Sequence, residues 1–184
     1  MQHPSTAELD AGLDTVRASP ADEGRVVLIV RRPASGEREV LEEATLDVAD
    51  GLVGDNWRAR GSSRTEDGAA HPGMQITLMN SRAAELFAGG LERRQLAGDQ
   101  VYVDLDLSEA RLPAGTRLEI GTAVVEISAE PHLGCKKFAE RFGRDAARFV
   151  NLPVGRALRL RGANARVVIP GSVRAGDLIR HTVR

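Results

Sequence analysis

Short apolar segments that alternate with polar residues, each closed by a Gly, Pro or Asp turn signal within about 8–12 residues, most constrain what this chain can fold into. Val26 to Val30 is a continuous apolar run, and Val40, Leu41, Ala44, Leu46 and Val48 mark a second, charged extended segment. Further strand patterns lie at 74–79, 100–105, 117–120, 123–128, 157–160, 166–169 and 177–180. The segments at 117–120 and 123–128 flank Gly121-Thr122, which predicts a β-hairpin. These strands do not alternate with long helices, which argues against a doubly wound α/β sheet. The expectation is a mainly β chain closed into a barrel, with a few short helices.

Helical signals are brief. Ser5 and Glu8 have capping-box spacing, and Leu9, Leu13 and Val16 share one face, so 6–18 predicts a short amphipathic helix ended by Ser19-Pro20. Asn80 or Ser81 can cap a helix running to Phe87. Residues 138–142, followed by Gly143, and 145–150 read as two more. Residues 54–73 form a long polar stretch without periodicity, a length that usually marks function or disorder. The division expected is an N-terminal helical extension at 1–24 and a barrel domain at 25–184.

Hydrophobic residues make up 42% of the 184 but aromatics only 3%, so the core must rest on Val, Leu, Ile and Ala. A formal charge of −1 gives no general attraction for nucleic acid or an anionic membrane. No apolar run approaches the ~20 residues that span a bilayer, and the first 24 residues lack a signal-peptide pattern. One cysteine excludes an internal disulfide, and a free thiol fits a reducing, cytoplasmic setting.

That cysteine, Cys135, is followed by Lys136 and Lys137, the chain's only lysines. Thiols act as nucleophiles or metal ligands in the thiolate form, which neighbouring positive charge favours. His132 lies three residues earlier, placed to orient or tune it. Other candidates are Asp55, Trp57 and Arg58 in the polar stretch, and Asp99 in a Gly-Asp pair before a strand. Indole beside guanidinium can stack on a planar ring or hold an anion. Arg159 and Arg161, with Arg166 beyond and Asn164 between, would project from one strand face as a phosphate or carboxylate reader. A plain solvated strand face would read the same way. No histidine pair has metal-ligand spacing, and no phosphate loop, nucleophile elbow or dinucleotide fingerprint occurs.

The ordered set Gly51-Leu-Val-Gly-Asp-Asn-Trp57, Met74 to Asn80, Leu96-Ala-Gly-Asp-Gln100, Leu112 to Gly121, Pro131-His-Leu-Gly-Cys135 and Arg161 to Arg166 resembles the MOSC domain family. That family is named for the C-terminal part of molybdenum cofactor sulfurases, and the likeness is to small stand-alone bacterial members. The resemblance implies a barrel-like β fold, a molybdenum cofactor (molybdopterin), and Cys135 as molybdenum ligand or sulfur carrier. His132 and Lys136 would then assist Cys135. Asp55, Trp57, Arg58, Asp99, Arg159, Arg161 and Asn164 would hold pterin and phosphate. Many enzymatic members carry Gly-Glu-Asn where this chain has Gly98-Asp99-Gln100. These 184 residues hold neither an aminotransferase-like nor an electron-transfer domain, so the expectation is that reduction of a small-molecule substrate would draw on a separate electron donor, and sulfur transfer on a separate sulfur-donor protein. Three functions stay open at this point: a small oxidoreductase acting on N-hydroxylated or related compounds, a persulfide carrier, and a non-catalytic binding domain.

Overall fold

The computed structural model describes residues 3–182. Strands β1 (Glu23–Arg31), β5 (Ile76–Asn80), β6 (Val101–Asp104), β7 (Arg117–Ile120), β8 (Ala123–Ile127), β9 (Ala163–Ile169) and β11 (Leu178–His181) close a seven-stranded barrel. The order is β11-β7-β8-β9-β5-β6-β1, and β1 pairs back onto β11 through Glu23↔Arg180 to Arg25↔Leu178. β1 can serve several neighbours because it is nine residues long: its start faces β11, its middle β6, and its end β2 (Glu39–Leu41). Only β5 and β6 run parallel within this sheet. Parallel neighbours need a crossover, supplied here by helix α4 (Ser81–Ala88) and a 3-10 turn, Leu91–Ala97.

A small second sheet, β10 (Gly171–Arg174), β3 (Glu43–Asp47) and β4 (Gly51–Leu52), adds Ala44, Leu46, Leu52 and Val173 to the barrel core. That core is wholly aliphatic, as the composition requires. All four phenylalanines and the single tyrosine lie instead in a second cluster outside the barrel, where the helices pack. Helix α1 (Thr6–Ala11) opens with the expected capping box, Ser5 N–H donating to Glu8 Oε2 at 2.8 Å. The single helix expected over 6–18 is broken at Gly12 into α1 and α2 (Leu13–Arg17), yet Leu9, Leu13 and Val16 are buried together in this second cluster. Asn80 caps α4 by accepting from Arg82 and Ala83.

Two local expectations fail. The polar stretch at 54–73 holds a short helix, α3 (Trp57–Arg60), and the 3-10 turn Pro72–Met74 begins within it. Residues 157–160 are not a strand: α7 (Pro153–Ala157) runs into turns there, with Leu158 N–H on Val154 O and Leu160 N–H on Gly155 O. β10 also went unread, because Gly171 looked like a separator between strands. Among the described residues no helix is long and apolar enough to cross a membrane.

Candidate functional site

The segment 130–136 and the polar stretch at 54–73 meet at one mouth, where Arg64 Nη1 lies 2.8 Å from Glu130 Oε2. Cys135 sits at the rim, exposed, immediately before helix α5 (Lys136–Phe142). Its position is held from behind by Asn151, which accepts from Gly134 N–H at 3.1 Å. Gly134 is required there. A Cβ at that position would come within 2.6 Å of Val150 and 2.9 Å of the Ala147 carbonyl.

Below the rim lies a cavity of about 210 Å³. Arg32, Arg38, Arg60, Arg141, Arg161 and Lys137 all border it, and no carboxylate does. Two carboxylates stand behind that wall. Asp55, its side chain fully buried, accepts from Arg32 Nε and Nη2 at 2.8 Å each, and from Arg32 and Trp57 backbone N–H groups. Asp99, also fully buried, accepts from Arg161 Nη1 at 2.5 Å. Arg161 further donates to the Ala97 carbonyl and lies 5.0 Å over the Phe138 ring. Six cations therefore face two buried anions, and the excess charge is positive. Burial and the neighbouring guanidinium groups pull the Arg38 pKa down from its ordinary value. An anionic occupant would relieve that repulsion.

Gly98 keeps the floor open. It has φ +92, and a Cβ there would lie 3.3 Å from nitrogens of both Arg38 and Arg141. Next to it Gln100, fully buried, ties the floor to β5 by accepting from Thr77 N–H at 2.8 Å. His132 forms one wall, its Nδ1 3.3 Å from Asp99 Oδ1. Burial first, then Arg161 and Arg32, hold its pKa well below the ordinary 6.5, so the imidazole is neutral. Burial pushes the Asp99 carboxyl up, with Arg161 opposing. Several buried polar atoms around the cavity have no hydrogen-bond partner in the chain: Arg38 Nε, Asn56 Oδ1, Arg161 Nε and Asn164 Oδ1. Buried polar groups are ordinarily paired, with protein or with ordered water, so these atoms can take polar partners from outside the chain.

The candidates named from sequence divide. Cys135, His132, Arg161 and Asn164 border the cavity, and Asp99 lies directly beneath. Asp55 acts one layer back, through Arg32. Trp57 is buried outside the lining, and Arg58 is exposed and paired with Asp50 at 2.7 Å. Lys137, not Lys136, borders the cavity. Arg159 and Arg161 do not share a strand face: Arg159 has φ +45 and lies in a neighbouring cavity. Arg32, Arg38 and Arg141 were not anticipated. The one sequence signal for Arg32 is a pair of arginines ending the first apolar strand.

The MOSC domain model matches residues 65–180. A comparison with curated proteins finds no match. Among solved structures, the YuaD protein from Bacillus subtilis superposes with a TM-score of 0.60 at 18% identity, over 88% of this chain and 97% of that one. YiiM from Escherichia coli gives 0.57 at 20% identity, over 87% and 70%. A protein described only as hypothetical gives 0.60 at 20%, over 92% and 71%. At such identities the likeness is one of fold, and it agrees with the barrel described above. With the profile covering well over half of its length, the chain belongs to the MOSC domain family.

Proposed function

We propose that the cavity beneath Cys135 receives a molybdenum cofactor and that the loaded protein is a small oxidoreductase acting on N-hydroxylated or related compounds. The observation that carries this reading is the meeting of five arginines and a lysine with the sole cysteine around one cavity. The residues fit the group. Among the described residues no cluster of three or more His, Cys, Asp or Glu side chains is placed to hold a metal. A single soft thiolate therefore suits a metal that arrives with sulfur ligands of its own. The unpartnered Arg38 Nε and Arg161 Nε suit phosphate oxygens, and the unpartnered Asn56 carbonyl oxygen suits a ring N–H donor of a pterin.

When bound, such a cofactor supplies two-electron redox chemistry. The chain's own residues do the rest. Cys135 offers its sulfur at the rim, and Arg161, held by Asp99 and backed by Phe138, presents a fixed guanidinium. Gly98 leaves room for Arg38 and Arg141 to converge. Neutral His132 keeps the wall free of added charge. Reduction of an N-hydroxylated compound takes up an electron pair and a pair of protons and releases water. The electrons would come from a separate electron-transfer protein approaching the exposed rim, and the protons from solvent at the mouth.

Metal analysis with pterin detection on protein purified from cells that make the cofactor tests this. Molybdenum and oxidised-pterin fluorescence in equal amounts are expected, with molybdenum lost in Cys135→Ser. Absence of both from the native protein overturns the reading. The exposure of Cys135 favours one other reading, a persulfide carrier loaded by a separate sulfur donor. Cyanide-releasable sulfur that disappears in Cys135→Ser, without molybdenum, would select it.

A further inference from the structure

His132 and Asn164 border not one cavity but two. Behind them lies a second space of about 190 Å³, framed by the 128–133 segment, α7 and the turn that follows it. Its character differs from the first: Arg156 and Arg159 border it together with the carboxylates of Glu109 and Glu130.

Arg159 is the only non-glycine residue among those described with positive φ. A backbone held there is strained, and such strain persists where the surroundings enforce it, often at ligand sites. The enforcement is visible. Gly162 N–H donates to the Arg159 carbonyl at 2.7 Å, and Arg159 Nη1 donates to the Leu112 carbonyl at 2.6 Å, 47 residues away in sequence. The guanidinium is thus fixed at the cavity's edge with Nε and Nη2 making no protein hydrogen bond, and half-buried. Neighbouring Arg156 is exposed and forms no side-chain bond, and the same holds for Glu109. At the inner wall, Asn164 is 1% exposed, donates from Nδ2 to the Glu130 carbonyl at 3.1 Å, and leaves Oδ1 without a partner. Ser128 accepts from Glu130 N–H, which leaves its own hydroxyl proton free to donate.

We propose that this cavity is a second small-molecule site, built for a carboxylate that also carries N–H donors. The fork of Arg159, with Arg156 beside it, would take the carboxylate, since guanidinium geometry matches two carboxylate oxygens. The N–H groups would reach the Asn164 carbonyl oxygen within and Glu109 at the margin. This second site does not depend on any occupant of the first.

N-carbamoylglycine, which has both features, is the probe, titrated into the ¹⁵N-labelled full chain. A saturable shift of the Asn164 side-chain amide and the Gly162 N–H is expected. Arg159→Met should weaken binding about tenfold or more, as loss of a charge-assisted hydrogen bond does. Because that position is strained, Arg156→Met provides a second variant, with a loss of about threefold for an exposed charge. Arg38→Met, in the first cavity, should change affinity by less than about twofold. The uncharged amide of the probe, and acetate, which lacks N–H groups, should each bind more weakly. No saturable shift at Asn164, indifference to both Arg159→Met and Arg156→Met, loss in Arg38→Met, or equal binding of either control compound overturns the proposal.

Discussion

The arginine–carboxylate pairs beneath the first cavity and those on the outer face of the barrel have the same chemistry and similar distances, but opposite surroundings. Beneath the cavity, Arg32–Asp55 at 2.8 Å and Arg161–Asp99 at 2.5 Å have side chains at most 7% exposed. Outside, Arg117 and Arg166 share Glu126 at 3.0 and 2.6 Å, with both arginines more than half exposed. The outer pairs are also directly opposite across strands: Arg117↔Glu126, Glu126↔Arg166, Glu119↔Arg180 and Glu43↔Arg174. They support strand register, each weakly. The buried pairs join residues 23 and 62 positions apart and hold loops around a cavity. The cross-strand ion pairs thus serve strand pairing in water, and the two buried pairs serve the shape of the cavity.

The largest test of that contrast is removal of one buried partner. Asp55→Ala leaves Arg32 buried without its anion and should cost about 3–5 kcal/mol in urea unfolding. A loss below about 1 kcal/mol, the range of exposed pairs, would erase the distinction. Next in size is the cavity's hold on the cofactor proposed for it. Arg161→Ala should weaken cofactor retention by about 1.5–3 kcal/mol, measured as pterin content at matched thermal stability. Arg161→Lys should restore little, because an ammonium cannot reproduce the fork. Unchanged content in both variants would place the phosphate elsewhere.

A third test uses pH. Folded His132 stays neutral where the same residue in the unfolded chain takes up a proton. Below the ordinary value of 6.5 the unfolded state therefore binds more protons, so this contribution to stability is complete above 6.5 and is lost as pH falls below it. Asp99, raised by burial, acts in the opposite sense, its contribution present below 3.8 and lost as pH rises. His132→Gln should flatten the melting-temperature slope just below pH 6.5, and an unchanged slope would move the effect to another group. Glu126 supplies the outer counterpart. Hydrogen bonds from Arg166 and Arg117 lower its pKa, so its contribution is present above 4.5 and lost as pH falls through the depressed value. The smallest effect is Arg166→Ala, expected to cost ~1 kcal/mol or less and to shrink further in high salt.

Much of the scaffold was legible in local pattern. The hairpin across Gly121-Thr122, the Asn80 cap and the Ser5–Glu8 box all formed, because each depends on residues within a few positions of one another. Residues 157–160 misled for the same reason. Leu158 and Leu160 alternate with arginines as a strand would, but over four residues alternation cannot separate a strand from a turn. Pro153 at the first turn of α7 and the bond from Leu160 N–H to Gly155 O settle it as a turn. Of the residues bordering or directly beneath the cavity, Cys135, His132, Asp99, Arg161 and Asn164 could be named as candidates from their residue types, order and family resemblance. Arg32, Arg38 and Arg141 could not, in a chain with 23 arginines.

By itself, the sequence determined most of the strands, the capping box and hairpin turn, an aliphatic barrel core and membership of the MOSC family, but not β10 or the turn at 157–160. Only the tertiary structure decided which arginines line the cavity. That choice depends on barrel closure, which brings the end of β1, the Gly98 turn, the Cys135 loop and the turn after α7 to one place. Burial there sets whether a guanidinium is matched by a carboxylate, as Arg32 and Arg161 are, or borders the cavity without one, and burial is a property of the assembled chain rather than of any segment.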